Sequence, residues 1–177
     1  MEPQRHKGHK ENRLKFLRVL CAFLVQNFFH MSDLQIRPAT EQDDATIKQM
    51  VSKEHLDPTS VKWQHFLVAE RDAGDGTSQI VGIGQVKQYP GCLELGSLVV
   101  LPEFRGQGIA GELIRALEAR AGRPLYLTCR DRMQGYYAGF GYERIPILKA
   151  PSAILWKLLF TRLFLLFGVR IVLMRKG

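Results

Sequence analysis

Residues 101–110 read Leu101-Pro102-Glu103-Phe104-Arg105-Gly106-Gln107-Gly108-Ile109-Ala110, and the meaning of this stretch decides the fold. Before it, Cys92 to Val100 is apolar and β-branched enough to form a strand. After it, Ile109, Leu113 and Leu117 recur at helical spacing, with Glu112, Arg115, Glu118 and Arg120 on the wet side. Gly122 and Pro124 end that helix, which the spacing predicts over Gly108 to Ala121. A strand, a glycine turn and a helix in that order build an anion site. The helix start has unpaired N–H groups and a partial positive charge, which suit a pyrophosphate. Gly106 and Gly108 carry no side chain to keep the phosphates away, and small Ala110 permits close approach. A turn that only caps the helix is the ligand-free alternative.

Other phosphate and catalytic signatures fit less well. A P-loop ends in Gly-Lys-Ser/Thr, whereas this segment ends Gly108-Ile109-Ala110. Gly82-Ile83-Gly84 imitates a dinucleotide fingerprint, but Lys87 occupies the third glycine position and a strand follows. The chain has neither a G-x-S-x-G elbow nor an HExxH pair.

Working outward, Leu125 to Cys129 is a short apolar strand, so strand, helix and strand form a parallel crossover. Upstream, Leu34 to Arg37 is a strand, and Thr40 with Asp43 caps a helix whose apolar face is Ile47, Met50 and Val51. Leu56-Asp57-Pro58-Thr59 breaks that helix. His65 to Arg71, Ile80 to Tyr89 and Cys92 to Val100 form an antiparallel meander with turns at residues 72–76 and at Pro90-Gly91. Downstream, a helix over Met133 to Phe140 stops at Gly141, and Tyr142 to Ile147 and Val169 to Met174 read as two closing strands. Between those two lies Ser152 to Phe167, SAILWKLLFTRLFLLF, whose only polar residues after the leading Ser152 are Lys157, Thr161 and Arg162 on one narrow face. Such a helix packs on the sheet or on a second subunit to make a homodimer, or else lies in a membrane interface.

The length of 177 residues suits one domain with tails. The net charge of +8 invites a nucleic-acid reading, but the excess belongs to the ends. Residues 1–30 carry six Lys/Arg against two acids, and residues 147–177 carry six against none. Residues 31–146 hold thirteen basic and fifteen acidic residues, which argues against nucleic acid and is compatible with a cationic substrate. Cys21, Cys92 and Cys129 form no CxxC or Cys/His cluster, so no metal or disulfide framework is expected, and a reducing cytoplasm is the simplest home. Residues 14–30 imitate a signal peptide, but Arg18 and Gln26 interrupt the run and no small-x-small site follows. Residues 1–30 are therefore expected to be an extension, with a membrane-surface anchor through 14–30 and 152–167 as the alternative, and the folded domain to span 31–177.

Residues 34–146 resemble the GNAT superfamily of acetyl-CoA-dependent N-acetyltransferases. The family's Arg/Gln-x-x-Gly-x-Gly/Ala signature is matched by Arg105, Gly108 and Ala110, after a strand and a Pro. A second feature, an aromatic-Tyr pair followed by Gly-aromatic, matches Tyr136-Tyr137-Ala138-Gly139-Phe140-Gly141-Tyr142. The resemblance implies a mixed sheet of about seven strands, flanked by helices and splayed between Cys92–Val100 and Leu125–Cys129, with the apolar helix inserted between the last two strands. It implies that acetyl-CoA enters the splay, bonding to the backbone of Leu98, Val99 and Val100 like an added strand. Residues Arg105, Gly106, Gln107, Gly108, Ile109 and Ala110 would hold its pyrophosphate.

The implied reaction is direct attack of a small-molecule or peptide amine on the thioester. Tyr137 is then the expected proton donor to the leaving thiolate, and a backbone N–H near Val99 the oxyanion donor. Glu94 alternates with Leu93 and Leu95 and so faces the opposite side of the sheet, where it is either a candidate base acting through a water or a solvent-facing strand glutamate. Some family members carry an acid on the strand of Thr128 and Cys129; this chain has none there. Cys129 is expected to be a packed cysteine rather than a nucleophile. Asp57, His55 and His65 are further candidates for the acceptor side. A non-catalytic acyl-CoA sensor and a membrane-associated interaction protein are the competing readings.

Overall fold

The structure, a computed structural model, describes residues 33–57, 60–72, 77–161 and 170–177, without the side chains of 159–161. The segment 14–30, the turn at 73–76 and the second half of the apolar stretch, 162–169, lie outside the described residues. Seven strands make a single sheet: β1 (Leu34–Pro38), β2 (Phe66–Asp72), β3 (Ser78–Tyr89), β4 (Cys92–Val100), β5 (Leu125–Arg130), β6 (Glu143–Ile145) and β7 (Ile171–Lys176). Their spatial order is β1-β2-β3-β4-β5-β7-β6. Every pairing is antiparallel except β4 with β5, which the crossover makes parallel. The expected mixed sheet is observed.

Among the described residues four helices flank it: α1 (Asp44–Lys53), α2 (Ile109–Arg120), the short α3 (Gln134–Ala138) and α4 (Ser152–Thr161). Alternation along the strands sorts them by face. Leu67, Ala69, Val81, Leu95 and Val100 meet Ile109, Leu113, Ile114 and Leu117 of α2. Phe66, Val68, Ile83 and Val99 point the other way and bury Ile47, Met50 and Val51 of α1. On that same side, farther along the sheet, Cys92 and Leu173 bury Ile154 of α4. The predicted apolar face of α1 is thus the buried one. Its entry is fixed by Thr40, whose amide donates to Asp43 Oδ2 at 2.7 Å.

Two details place the site. At Gly84 an added Cβ would lie 2.8 Å from Leu117 Cδ1, so the glycine lets α2 press close against β3. In β4 the register slips, with Gly96 opposite Gln85 but Val99 opposite Ile83. Two residues of β4, Ser97 and Leu98, therefore face one of β3, which is a β-bulge, and Ser97 takes φ +49°. Gln85, fully buried, donates from Nε2 to Ser97 Oγ at 2.9 Å and pins the bulge.

Some expected boundaries shift. His65 ends a 3-10 turn, Trp63–His65, rather than opening β2. The helix expected over Met133 to Phe140 is split into a 3-10 turn, Asp131–Met133, and the five-residue α3, because glycines at 135 and 139 weaken both ends.

Candidate active site

β4 pairs with β5 only at Leu93–Leu95 opposite Leu125–Leu127. Beyond Leu95 the two strands part, and the bulge at Ser97 turns β4 away from β5. The β4 edge through Leu98, Val99 and Val100 therefore borders a wedge with no strand partner on that side among the described residues. Free main-chain N–H and C=O groups along such an edge can accept an extended ligand as an extra strand.

The wedge opens toward the glycine turn. Gly106 and Gly108 both adopt left-handed conformations, φ +79° and +81°. A Cβ at either one would meet nothing within 4 Å, so the space in front of the loop is open. Gly108 O accepts the first helical bonds, from the amides of Gly111 and Glu112. The amides of residues 106–110 find no backbone acceptor among the described residues, as expected for a helix start that faces an anion. Arg105 differs: its amide donates to Pro102 O, its Nε to Val100 O at 2.9 Å, and its guanidinium reaches Glu54 at 2.6 Å. Its side chain ties the turn to β4 and to the end of α1. Arg71, which sequence reasoning missed, braces the turn from β2. It donates to Gln107 Oε1 at 2.7 Å and lies over the Phe104 ring. Nothing local in the sequence links residues 71 and 107; only the sheet order does.

The second motif folds onto the first. Phe140 Cζ would be 3.3 Å from a Cβ at Gly111, so this glycine admits the ring against the first turn of α2. Tyr136 packs edge-on against Tyr137 and Phe140, and Tyr137 against Tyr142. Burial, with Cys129 and Tyr136 adding to it, pushes the Tyr137 phenol up to about 12. Tyr137 and Cys129 pack against the same core cluster, and Cys129 lies two residues past the last β4–β5 pair. Burial also raises the Cys129 thiol to about 11, so it stays protonated near neutrality and is not poised as a nucleophile.

Glu94 faces away from α2, as alternation predicts, yet it is no solvent-facing strand glutamate: only 1% of it is exposed. Thr128 Oγ1 donates to its Oε1 at 2.9 Å, and Lys157 of α4 reaches Oε1 and Oε2 at 2.8 and 2.9 Å. Lys87, opposite Glu94 across the β3–β4 ladder, is buried and pairs with Asp57 at 3.2 Å. A row of alternating charge, Asp57, Lys87, Glu94 and Lys157, therefore crosses the floor between α1 and α4. Asp57 lies, through its Lys87 pair, on the same face as Glu94. His65 does not: it lines a small cavity with Leu93 and Leu117, on the α2 side. His55 ends α1 in a left-handed turn, φ +52°, exposed to solvent.

The apolar helix is placed by this geometry as well. Its described part packs Ile154 into the sheet and leaves Trp156 63% exposed, so one face is covered and the other is open. No helix among the described residues is long and apolar enough to cross a membrane.

Comparison with known proteins agrees with this layout. Rv2747 from Mycobacterium tuberculosis, solved in complex with CoA, superposes with a TM-score of 0.66 at 18% identity, covering 80% of this chain and 98% of that one. N-acetylglutamate synthase from Neisseria gonorrhoeae, complexed with coenzyme A and N-acetyl-glutamate, gives 0.62 at 14% identity over 81% of this chain. The match takes in only 34% of that synthase, about a third of its length. Arabidopsis thaliana NAA60, bound to a bisubstrate analogue, gives 0.52 at 18% identity, covering 64% of this chain and 85% of that one. No curated protein matches the chain. The model of the acetyltransferase (GNAT) family matches residues 29–142, and with the splayed sheet and the glycine turn in place, the chain belongs to that family.

Proposed function

We propose that this acyltransferase moves an acetyl group from acetyl-CoA to a primary amine, by direct attack within a ternary complex. The observation that carries the reading is the wedge itself. An unpartnered β4 edge leads to five amides at residues 106–110, in front of open space. The edge suits the amide-bearing pantetheine arm, and the helix start suits the pyrophosphate.

Three tasks then fall to residues of this chain. Glu94, at the throat where β4 and β5 part, takes the proton of the acceptor ammonium, directly or through a water. A backbone N–H near Val99, on the wedge side of β4, stabilises the oxyanion, a prearranged donor that needs no reorganisation. Tyr137 stays protonated across the physiological range and donates to the departing thiolate. The acceptor, an amine on a small molecule or a peptide terminus, reaches the wedge from the face shared by α1 and α4, where Lys87 and Lys157 already neutralise Asp57 and Glu94.

Titration calorimetry of the full chain with acetyl-CoA, followed by a thiol-release screen of amines, tests the reading. Saturable binding and amine-dependent thiol release support it. A folded protein that binds no acetyl-CoA refutes it. The sensor reading is separated by Tyr137→Phe: an enzyme loses turnover and keeps affinity, while a sensor has no turnover to lose.

A further inference from the structure

The ammonium of Lys157 lies on Glu94, the carboxylate proposed above as the base. A general base works within about 2.6–3.2 Å of the nitrogen it deprotonates. Lys157 Nζ lies 2.8 and 2.9 Å from the two oxygens of Glu94. The carboxylate is 1% exposed, so little room is left for a second cation while Lys157 is bound. The contact is not a chance surface pair. Ile154, one helical turn earlier, is fully buried against Cys92 and Leu173 and anchors α4 over this part of the sheet. Lys87, the other lysine on this face, is turned to Asp57 instead, which leaves Lys157 as the amine on the candidate base.

We propose that Lys157 is an intramolecular acceptor, acetylated in cis by the acetyl-CoA bound in the wedge. The proposal rests on the reading above in which Glu94 is the base. The Lys157 ammonium gives one proton to Glu94, which releases it to solvent once the departure of Lys157 uncovers the carboxylate. The neutral nitrogen attacks the thioester carbonyl; the C–N bond forms and the C–S bond breaks. The second nitrogen proton replaces the one that Tyr137 delivers to sulfur. The products are Nε-acetyl-Lys157, free CoA thiol and one released proton. Acetylation removes the lysine charge, ends the ion pair and frees Glu94 for an external amine. Lys157 is thereby both a stand-in for the substrate and a plug that a first turnover removes.

The test uses the full chain with acetyl-CoA and no added acceptor, read by intact mass and peptide mapping, with binding measured in parallel by calorimetry. One acetyl group is expected on Lys157, appearing at a first-order rate that does not change with protein concentration. That rate should exceed modification of exposed Lys62 by about 100-fold or more, the scale of acid–base catalysis. Lys87 should remain unmodified. Lys157→Arg, which keeps the cation beside Glu94, should bind acetyl-CoA and acquire no acetyl at that position. Acetyl-CoA binding with Lys157 unmodified, or modified no faster than Lys62, overturns the inference and leaves the proposed function standing. A rate that rises with protein concentration overturns the cis step. Failure to bind acetyl-CoA overturns the proposed function and this inference together.

Discussion

Placing a negative charge at the glycine turn tests the anion site most directly, provided its conformational effect is controlled. Gly108 has φ +81°, so any side chain there pays a backbone cost of about 1–2 kcal/mol, least for Asn and Asp, which tolerate the left-handed region. Gly108→Asn and Gly108→Asp thus form a matched pair with the same shape, the same strain and one unit of charge between them. Both side chains project into open space, since a Cβ at this position meets nothing within 4 Å. A carboxylate some 5 Å from a pyrophosphate is repelled by about 0.8 kcal/mol per charge at water's dielectric constant and about 3 at an effective value of 20. Gly108 is solvent-exposed, so the lower half of that range applies. The expected penalty of Asp over Asn is about 1–2 kcal/mol, which weakens CoA binding about 5- to 30-fold. Calorimetry with CoA at low and high salt measures it, and the gap should narrow as salt screens the charge. Thermal melting should show similar stability for the two variants. Equal CoA affinity for Asn and Asp at low salt would refute the assignment of the pyrophosphate to residues 106–110.

The other predictions concern the proton donor, the bulge and the framework. Tyr137→Phe should lower kcat by about 100-fold or more while leaving CoA affinity unchanged, as loss of a transition-state proton donor does. The donor is lost as pH rises through its pKa, and burial holds that value near 12, so no alkaline fall due to Tyr137 should appear below about pH 11. A fall centred near pH 10 that disappears in Tyr137→Phe would contradict this. Ser97→Val puts a β-branched residue at φ +49° and removes the bond to Gln85, and should cost about 2 kcal/mol and weaken CoA binding; Ser97→Gly, which accepts the conformation, should bind nearly as well as the parent. The Arg37 guanidinium, helped by Thr40, holds the Asp43 carboxyl down at about 2. A depressed folded pKa adds stability above the unfolded value and loses it as pH falls through the folded one. Arg37→Gln should therefore lower the urea midpoint at pH 7 and lose less stability than the parent between pH 4 and 2, with about 2 kcal/mol at stake.

How much of this could be read in the sequence follows from which interactions are local. The turn at 105–110 and the motif at 136–142 are each set by their own residue types, left-handed glycines in one and edge-packed rings in the other, so both were legible. Strand faces were legible for the same reason, since alternation alone turns Glu94 away from Leu93 and Leu95. The bulge was not. It depends on a buried amide, Gln85, on the neighbouring strand, and a two-for-one mismatch leaves no trace in either strand's own pattern. Arg71 was missed because the sheet order, not the chain, brings it within 2.7 Å of Gln107.

Lys157 shows where local reading misleads outright. On a helical wheel it belongs to the narrow polar face of an apolar helix, the pattern of a side chain left for water or for lipid headgroups. In the fold Lys157 turns inward onto the buried Glu94, and removing one member of a buried pair costs about 3–5 kcal/mol. The apolar residues of α4 then have two roles. Ile154 fills the sheet side, while Trp156 is left exposed. The orientation of the helix is thus decided by one ion pair as much as by its hydrophobic stripe. Lys157 thus closes over Glu94 from α4 rather than facing solvent alone.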